Sequence, residues 1–233
     1  MGGYGYYGGY YYSSYLIYML PAILISLWAQ IKVKSAFSKY SKVFSSLSGA
    51  EAAERVLRLN GVTGVQIERV SGNLTDHFDP RTNVIRLSES VYDSRTVAAV
   101  GVAAHEAGHA VQHAVGYWPN KARTAILPVC RIGSGLSWPL ILIGIVLSMR
   151  PLVLTGILFF CATLLFQLVT LPVELNASGR AMQTIRDGNL LTSDAEIRGA
   201  RKVLNAAAMT YVAAVITSLL QLLRLLSLAN RKR

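Results

Sequence analysis

His105, Glu106 and His109 stand in the order His-Glu-Ala-Gly-His. Residues four apart on an α-helix share a face, so this spacing lets two imidazole nitrogens approach one ion to about 2 Å. Glu106 stands beside them, placed to take a proton from a water that the ion has acidified. The chemistry such a set supports is amide hydrolysis. A zinc ion polarises the scissile carbonyl and lowers the pKa of a water towards about 7, and the carboxylate acts as general base, then carries the proton to the leaving amine. The flanks, Val97-Ala98-Ala99-Val100-Gly101-Val102-Ala103-Ala104 and Ala110-Val111, are small and apolar. Two histidines and a glutamate buried there without a metal would lack partners, which argues for Zn2+ as the cofactor.

A catalytic zinc usually takes three protein ligands. His113 continues the i, i+4 series, but eight residues of helix rise about 12 Å, too far for His105 and His113 to share one ion on a straight helix. His113 is then a neighbour of the ligands or a surface residue. The long zincin motif places Gly three and His six residues after the second histidine, where this chain has Gln112 and Val115. Glu174 is the better third ligand, because it follows a helical hairpin that returns the chain to the membrane face it left. Asp187, before Gly188, is the alternative carboxylate.

These residues must be positioned by the elements around them. Ser94 or Asp93 caps a helix over 95–115 that bears the motif and ends at Gly116 and Pro119. Upstream, Ser48 with Glu51 forms a capping box opening a helix to Asn60, with Gly61 as its stop. Val62 to Val70 and Asn83 to Leu87 alternate as short strands, separated by Ser71-Gly72-Asn73 and the Asp79-Pro80 step. The motif therefore sits in a small α+β insert, residues 32–124.

Apolar runs flank this insert. Residues 1–14 are a Gly/Tyr-rich tail without lysine or arginine, either disordered or part of an interfacial aromatic belt. Residues 15–31 predict a short transmembrane helix; Lys32, Lys34, Lys39 and Lys42 after it put the insert on the cytoplasmic side. Residues 125–173 predict a transmembrane hairpin turning at Arg150-Pro151, with no charge from Leu152 to Val173. Residues 174–202 then hold the third-ligand segment and a capped helix. Residues 203–233 carry a last apolar run with basic flanks, a fourth span or an interfacial helix, and the tail Arg231-Lys232-Arg233.

Composition agrees with this division. A chain of 233 residues that is 52% hydrophobic, with mean hydropathy +0.39, is too apolar for an ordinary soluble domain. Its net charge of +11 lies beside apolar spans without interleaved stacking aromatics, which suits anionic lipid headgroups and not nucleic acid. Cys130 and Cys161 fall within apolar stretches, without zinc-ligand spacing, and read as small core residues.

The segments Asp76-His77-Phe78-Asp79-Pro80-Arg81, Arg86-Leu87-Ser88, Ala103 to Ala114 and Leu171-Pro172-Val173-Glu174-Leu175-Asn176-Ala177-Ser178 resemble the YugP-like family of zinc-dependent membrane peptidases, whose site is similar to that of the HtpX-like gluzincins. The resemblance spans most of the chain. It implies His105 and His109 as zinc ligands, Glu106 as catalytic base and Glu174 as third ligand. In HtpX-like enzymes an aspartate four residues after that glutamate orients a ligand imidazole; here Ser178 stands in its place, and Ser178 or Asn176 would make that hydrogen bond. By the same analogy, the strand Asn83 to Leu87 would offer an edge to an extended substrate.

The expectation is therefore a mainly α multi-pass plasma-membrane protein with a zincin-like α+β insert. Its function would be that of a zinc metalloendopeptidase acting on unfolded or membrane proteins near the bilayer, with membrane-protein quality control as the family-type role. Two other functions compete. One is a site-2-type intramembrane protease with Asp187 as ligand, and the other a catalytically inactive membrane adaptor.

Overall fold

The computed structural model describes the backbone of residues 4–230 and the side chains of residues 16–230. The aromatic belt expected of the early tyrosines and the basic tail Arg231-Lys232-Arg233 lie outside the described residues. The chain is mostly helical. In order come α1 (Tyr4–Tyr40), α2 (Gly49–Leu59), β1 (Gln66–Val70), β2 (His77–Asp79), β3 (Val84–Ser88), α3 (Val97–Ala114), α4 (Trp118–Val146), α5 (Arg150–Asp187) and α6 (Asp194–Asn230).

The chain forms two compact units, one of Met1–Ala29, Ala122–Thr170 and Thr210–Arg233, the other of Gln30–Lys121 and Leu171–Met209. The described residues of the first form helices and the turn between α4 and α5. Ile141, Val153, Ile157 and Phe160 of the hairpin pack with Leu225 and Ala229 of α6. Ser137 Oγ donates to the Gly156 carbonyl at 2.9 Å, tying α4 to α5, and Ser26 Oγ lies 3.1 Å from Thr217 Oγ1 between α1 and α6. Large apolar side chains such as Ile132, Val146, Leu158 and Leu165 are nevertheless exposed. Among the described residues, four helices are long and apolar enough to cross a membrane.

The second unit has a three-stranded sheet in the order β1-β3-β2, with β3 parallel to β1 and antiparallel to β2. β3 is therefore central. Both its edges are paired, which corrects the expectation that it offers a free edge; the open edges belong to β1 and β2. β2 is only three residues long, too short to give a period-2 signal, and so escaped the sequence pattern. Asp79 fixes the turn into β3, accepting from Arg81 N at 2.9 Å and Thr82 Oγ1 at 3.0 Å. Ile85 and Leu87 of β3 are fully buried against α2 and α3 residues, including Ala52, Val56, Val100 and Ala103.

The helix ends differ from the expected ones in instructive ways. The capping box of α2 forms as expected, but the N-cap of α3 is Thr96, whose hydroxyl accepts from Ala99 N. Asp93 is occupied with Arg69 at 2.9 Å, and Ser94 Oγ lies 3.3 Å from Thr96 Oγ1. The α4–α5 turn falls before Arg150-Pro151, which open α5, as the fixed φ of proline permits in a first turn. α1, α5 and α6 all outrun their apolar stretches. Hydropathy reports the solvent around a helix, whereas the backbone hydrogen-bond ladder continues until a residue breaks it. Glu174 thus lies within α5 and not in a segment after it.

Candidate metal centre

α3 and α5 approach closely because both present small residues. A Cβ on Gly108 would lie 2.7 Å from the Ala177 carbonyl oxygen, so only glycine permits this separation. The approach sets Glu174 opposite the two histidines. Nε2 of His105 lies 3.2 Å and Nε2 of His109 3.4 Å from Oε2 of Glu174. The imidazoles meet edge to face, with centroids 4.7 Å apart. Glu106, at 9% exposure, and Glu174, at 3%, are both buried.

The donor set fits a zinc ion. Ligand atoms about 2.0–2.1 Å from a tetrahedral centre stand about 3.3 Å from one another, and the two nitrogen–oxygen separations bracket that value. All three donor atoms lie within 4.8 Å of one another. Burial acts against the charged form of His109, but its hydrogen bond to Glu174 and the negative charges of Glu106 and Glu174 outweigh that and raise its pKa above the ordinary histidine value. A site that favours positive charge in this way also suits a cation.

Each imidazole is held from behind. Ser178 Oγ lies 3.1 Å from Nδ1 of His105. Nδ1 of His109 lies 3.1 Å from Oε1 of Gln112. A glutamine on an amphipathic helix reads as surface in the sequence, yet Gln112 is fully buried. The available signal was its position one turn after His109, on the ligand-bearing face. Asn176 does not touch a histidine in this arrangement: its Oδ1 accepts from Gln112 Nε2 at 3.0 Å and from Arg180 Nε at 2.9 Å.

The remaining candidates fall elsewhere. His113 is exposed, its ring 5.8 Å from that of Phe78 on β2. Asp187 ends α5 and is also exposed; it lines a cleft of about 370 Å³ with Leu59, Asn60, Arg180 and Thr184. Among the described residues, the metal-competent cluster is His105, His109 and Glu174, without Asp187.

Two imidazoles from one helix and a carboxylate from a facing helix, with a further buried carboxylate alongside, define a metallohydrolase-type site. Residues 15–230 match the family described as "Putative neutral zinc metallopeptidase", and the chain belongs to that family of zinc metallopeptidases, with Zn2+ as its cofactor. It is 48% identical over 212 residues to the "Putative membrane protease YugP" of Bacillus subtilis (strain 168), covering 90% of this chain and 94% of that protein. No solved structure gives a significant match.

Proposed function

We propose that this chain is a multi-pass membrane zinc endopeptidase in which His105, His109 and Glu174 hold the ion and Glu106 is the general base. The observation that carries the reading is the convergence of two Nε2 atoms and one carboxylate oxygen at tetrahedral spacing. When bound, the ion supplies Lewis-acid polarisation of the scissile carbonyl and acidifies a water. The chain's own residues do the rest. Glu106 accepts the proton released as the water oxygen bonds to the carbonyl carbon, and passes it to the departing amine nitrogen as the C–N bond breaks. The buried apolar surroundings of α3 keep bulk water from competing with that transfer.

A substrate in extended form has the open edge of β2 to pair with, and α3 packs against β2 through Phe78 and His113. Pairing through main-chain hydrogen bonds favours unfolded or flexible chains over folded ones. The four long apolar helices among the described residues and their exposed leucines support insertion in a membrane, which we take to be the plasma membrane. Lys32, Lys34, Lys39 and Lys42 support a cytoplasmic site; substrates among unfolded or membrane proteins and a quality-control role are what the family resemblance implies. Cysteine-accessibility labelling at Gly72, from the cytoplasmic and the external side, tests the orientation.

Purified protein in detergent with zinc should cleave casein, and Glu106→Gln should lose cleavage while retaining stoichiometric zinc. Removal of one general base costs about 10²–10⁴-fold. Equal cleavage by both proteins would overturn the assignment of Glu106, and no cleavage by the wild type would favour an inactive adaptor.

A further inference from the structure

The two imidazoles are held by groups of different character. Ser178 can either donate or accept, so its contact with His105 leaves the position of the ring proton open. Gln112 leaves no such freedom to His109. Its Nε2 carries two hydrogens, and both are used: one goes to the Val173 carbonyl at 2.8 Å, the other to Asn176 Oδ1 at 3.0 Å. The atom facing His109 is therefore Oε1, an acceptor, and His109 Nδ1 must carry the hydrogen. That leaves Nε2, the atom facing Glu174, to give its lone pair to a metal.

The orientation of Gln112 has two anchors. One is the main-chain carbonyl of Val173, which can only accept. The other is Arg180, whose Nε can only donate. Arg180 Nε donates to Asn176 Oδ1 at 2.9 Å, which turns the oxygen of Asn176, and not its amide nitrogen, towards Gln112. The Arg180 guanidinium is itself held 6.0 Å above the Tyr117 ring.

We propose that Gln112 is a positioning residue that fixes the metal-binding tautomer of His109, and that Arg180, through Asn176, sets the orientation of Gln112. The inference rests on His109 being a zinc ligand. Arg180 and Asn176 are half-buried, so variants there disturb the fold less than variants of the fully buried Gln112, and the chemistry provides matched pairs. Asn176→Asp keeps an acceptor for both donors, whereas Asn176→Leu removes it. Arg180→Gln places an N–H where Nε stands, whereas Arg180→Met does not.

The experiment measures zinc affinity of the full chain in detergent by competition with a chromophoric chelator, together with the unfolding temperature of the metal-free protein. Asn176→Leu should weaken zinc binding about tenfold, the lower end for loss of a group that orients a ligand. Asn176→Asp should stay close to wild type. Arg180→Met should weaken binding less than Asn176→Leu, because Asn176 still offers Oδ1 to Gln112 there, and Arg180→Gln should restore it. All four should unfold, metal-free, near the wild-type temperature. Unchanged affinity in Asn176→Leu, or equal losses in Asn176→Leu and Asn176→Asp, would overturn the proposal. His109→Ala provides the reference for ligand loss: tight zinc binding there would overturn the ligand set itself, whereas weak binding there beside an unchanged Asn176→Leu would overturn only the positioning role.

Discussion

The two units bury their helices in opposite ways. In the second, α3 presents Ala98, Ala99, Ala103, Ala104 and Ala107 to its neighbours, all fully buried, and Gly108 lets the α5 backbone come into contact. In the first, much of the apolar surface points outward, with Val146 at 80% and Leu158 at 69% exposure. Exposed apolar surface costs about 25 cal/mol per Å² in water but nothing comparable in hydrocarbon. The second unit stabilises itself by excluding water from a close-packed core that brings Glu174 to the histidines, while the first suits a surrounding that is itself apolar.

The largest test of that division acts on the site. Glu174→Gln removes the carboxylate charge with little change of shape, and should weaken zinc binding more than about 100-fold, beyond the range for groups that merely orient a ligand. Proteolysis should fall with it. Asp187→Asn, further along the same helix in the same unit, should leave both unchanged. Retained zinc in the first variant with loss in the second would move the site to Asp187 and favour the site-2-type reading.

Next in size is a matched pair in the two cores. Ile85 of β3 and Ile141 of α4 are each almost wholly buried, at 0% and 1% exposure. Ile85→Ala should destabilise by about 2–5 kcal/mol, the sum of lost transfer energy and a cavity. With α4 spanning a bilayer, as proposed, Ile141→Ala should cost less, because a side chain in hydrocarbon keeps its lost-packing penalty while the water-transfer part largely vanishes. Thermal unfolding in detergent, monitored by a signal from each unit, measures both; equal costs would mean that the first unit is stabilised as a water-soluble core is.

How far these features could be read in the sequence depended on their range. His105 and His109 were legible because their spacing is a property of a single helix. A returning hairpin made a meeting with Glu174 possible without separating it from Asp187 on the same helix, and the resemblance pointed to Glu174; its closeness requires Gly108 and Ala177, whose significance appears only when two backbones touch. Gln112 was not legible, because a glutamine has the same type on a surface as in a core and only burial distinguishes them. The central place of β3 was hidden for a different reason: strand order is set by β2, whose three residues carry no pattern. The cap of α3 is Thr96 and not Asp93, which pairs with Arg69 of β1, a contact outside the local sequence.

The smallest effect separates the units by what a single hydroxyl does. Ser178 Oγ reaches His105 Nδ1 at 3.1 Å, and Ser137 Oγ donates to the Gly156 carbonyl at 2.9 Å. Both bonds join two helices, so by geometry alone they should be worth the same. Ser137→Ala should cost about 0.6 kcal/mol of stability, a typical interhelical hydrogen bond in a membrane protein, and leave zinc affinity unchanged. Ser178→Ala should leave stability nearly as it was but weaken zinc binding about tenfold, because the partner it abandons is an imidazole that then rotates more freely and gives its lone pair less often to the metal. The loss is modest because Glu174 still aligns His105 from the front and α3 fixes its Cα. Chelator competition and metal-free unfolding on the two variants would resolve the matter: an equal shift in zinc affinity for both would mean that Ser178 acts only by holding α3 to α5, as Ser137 holds α4 to α5.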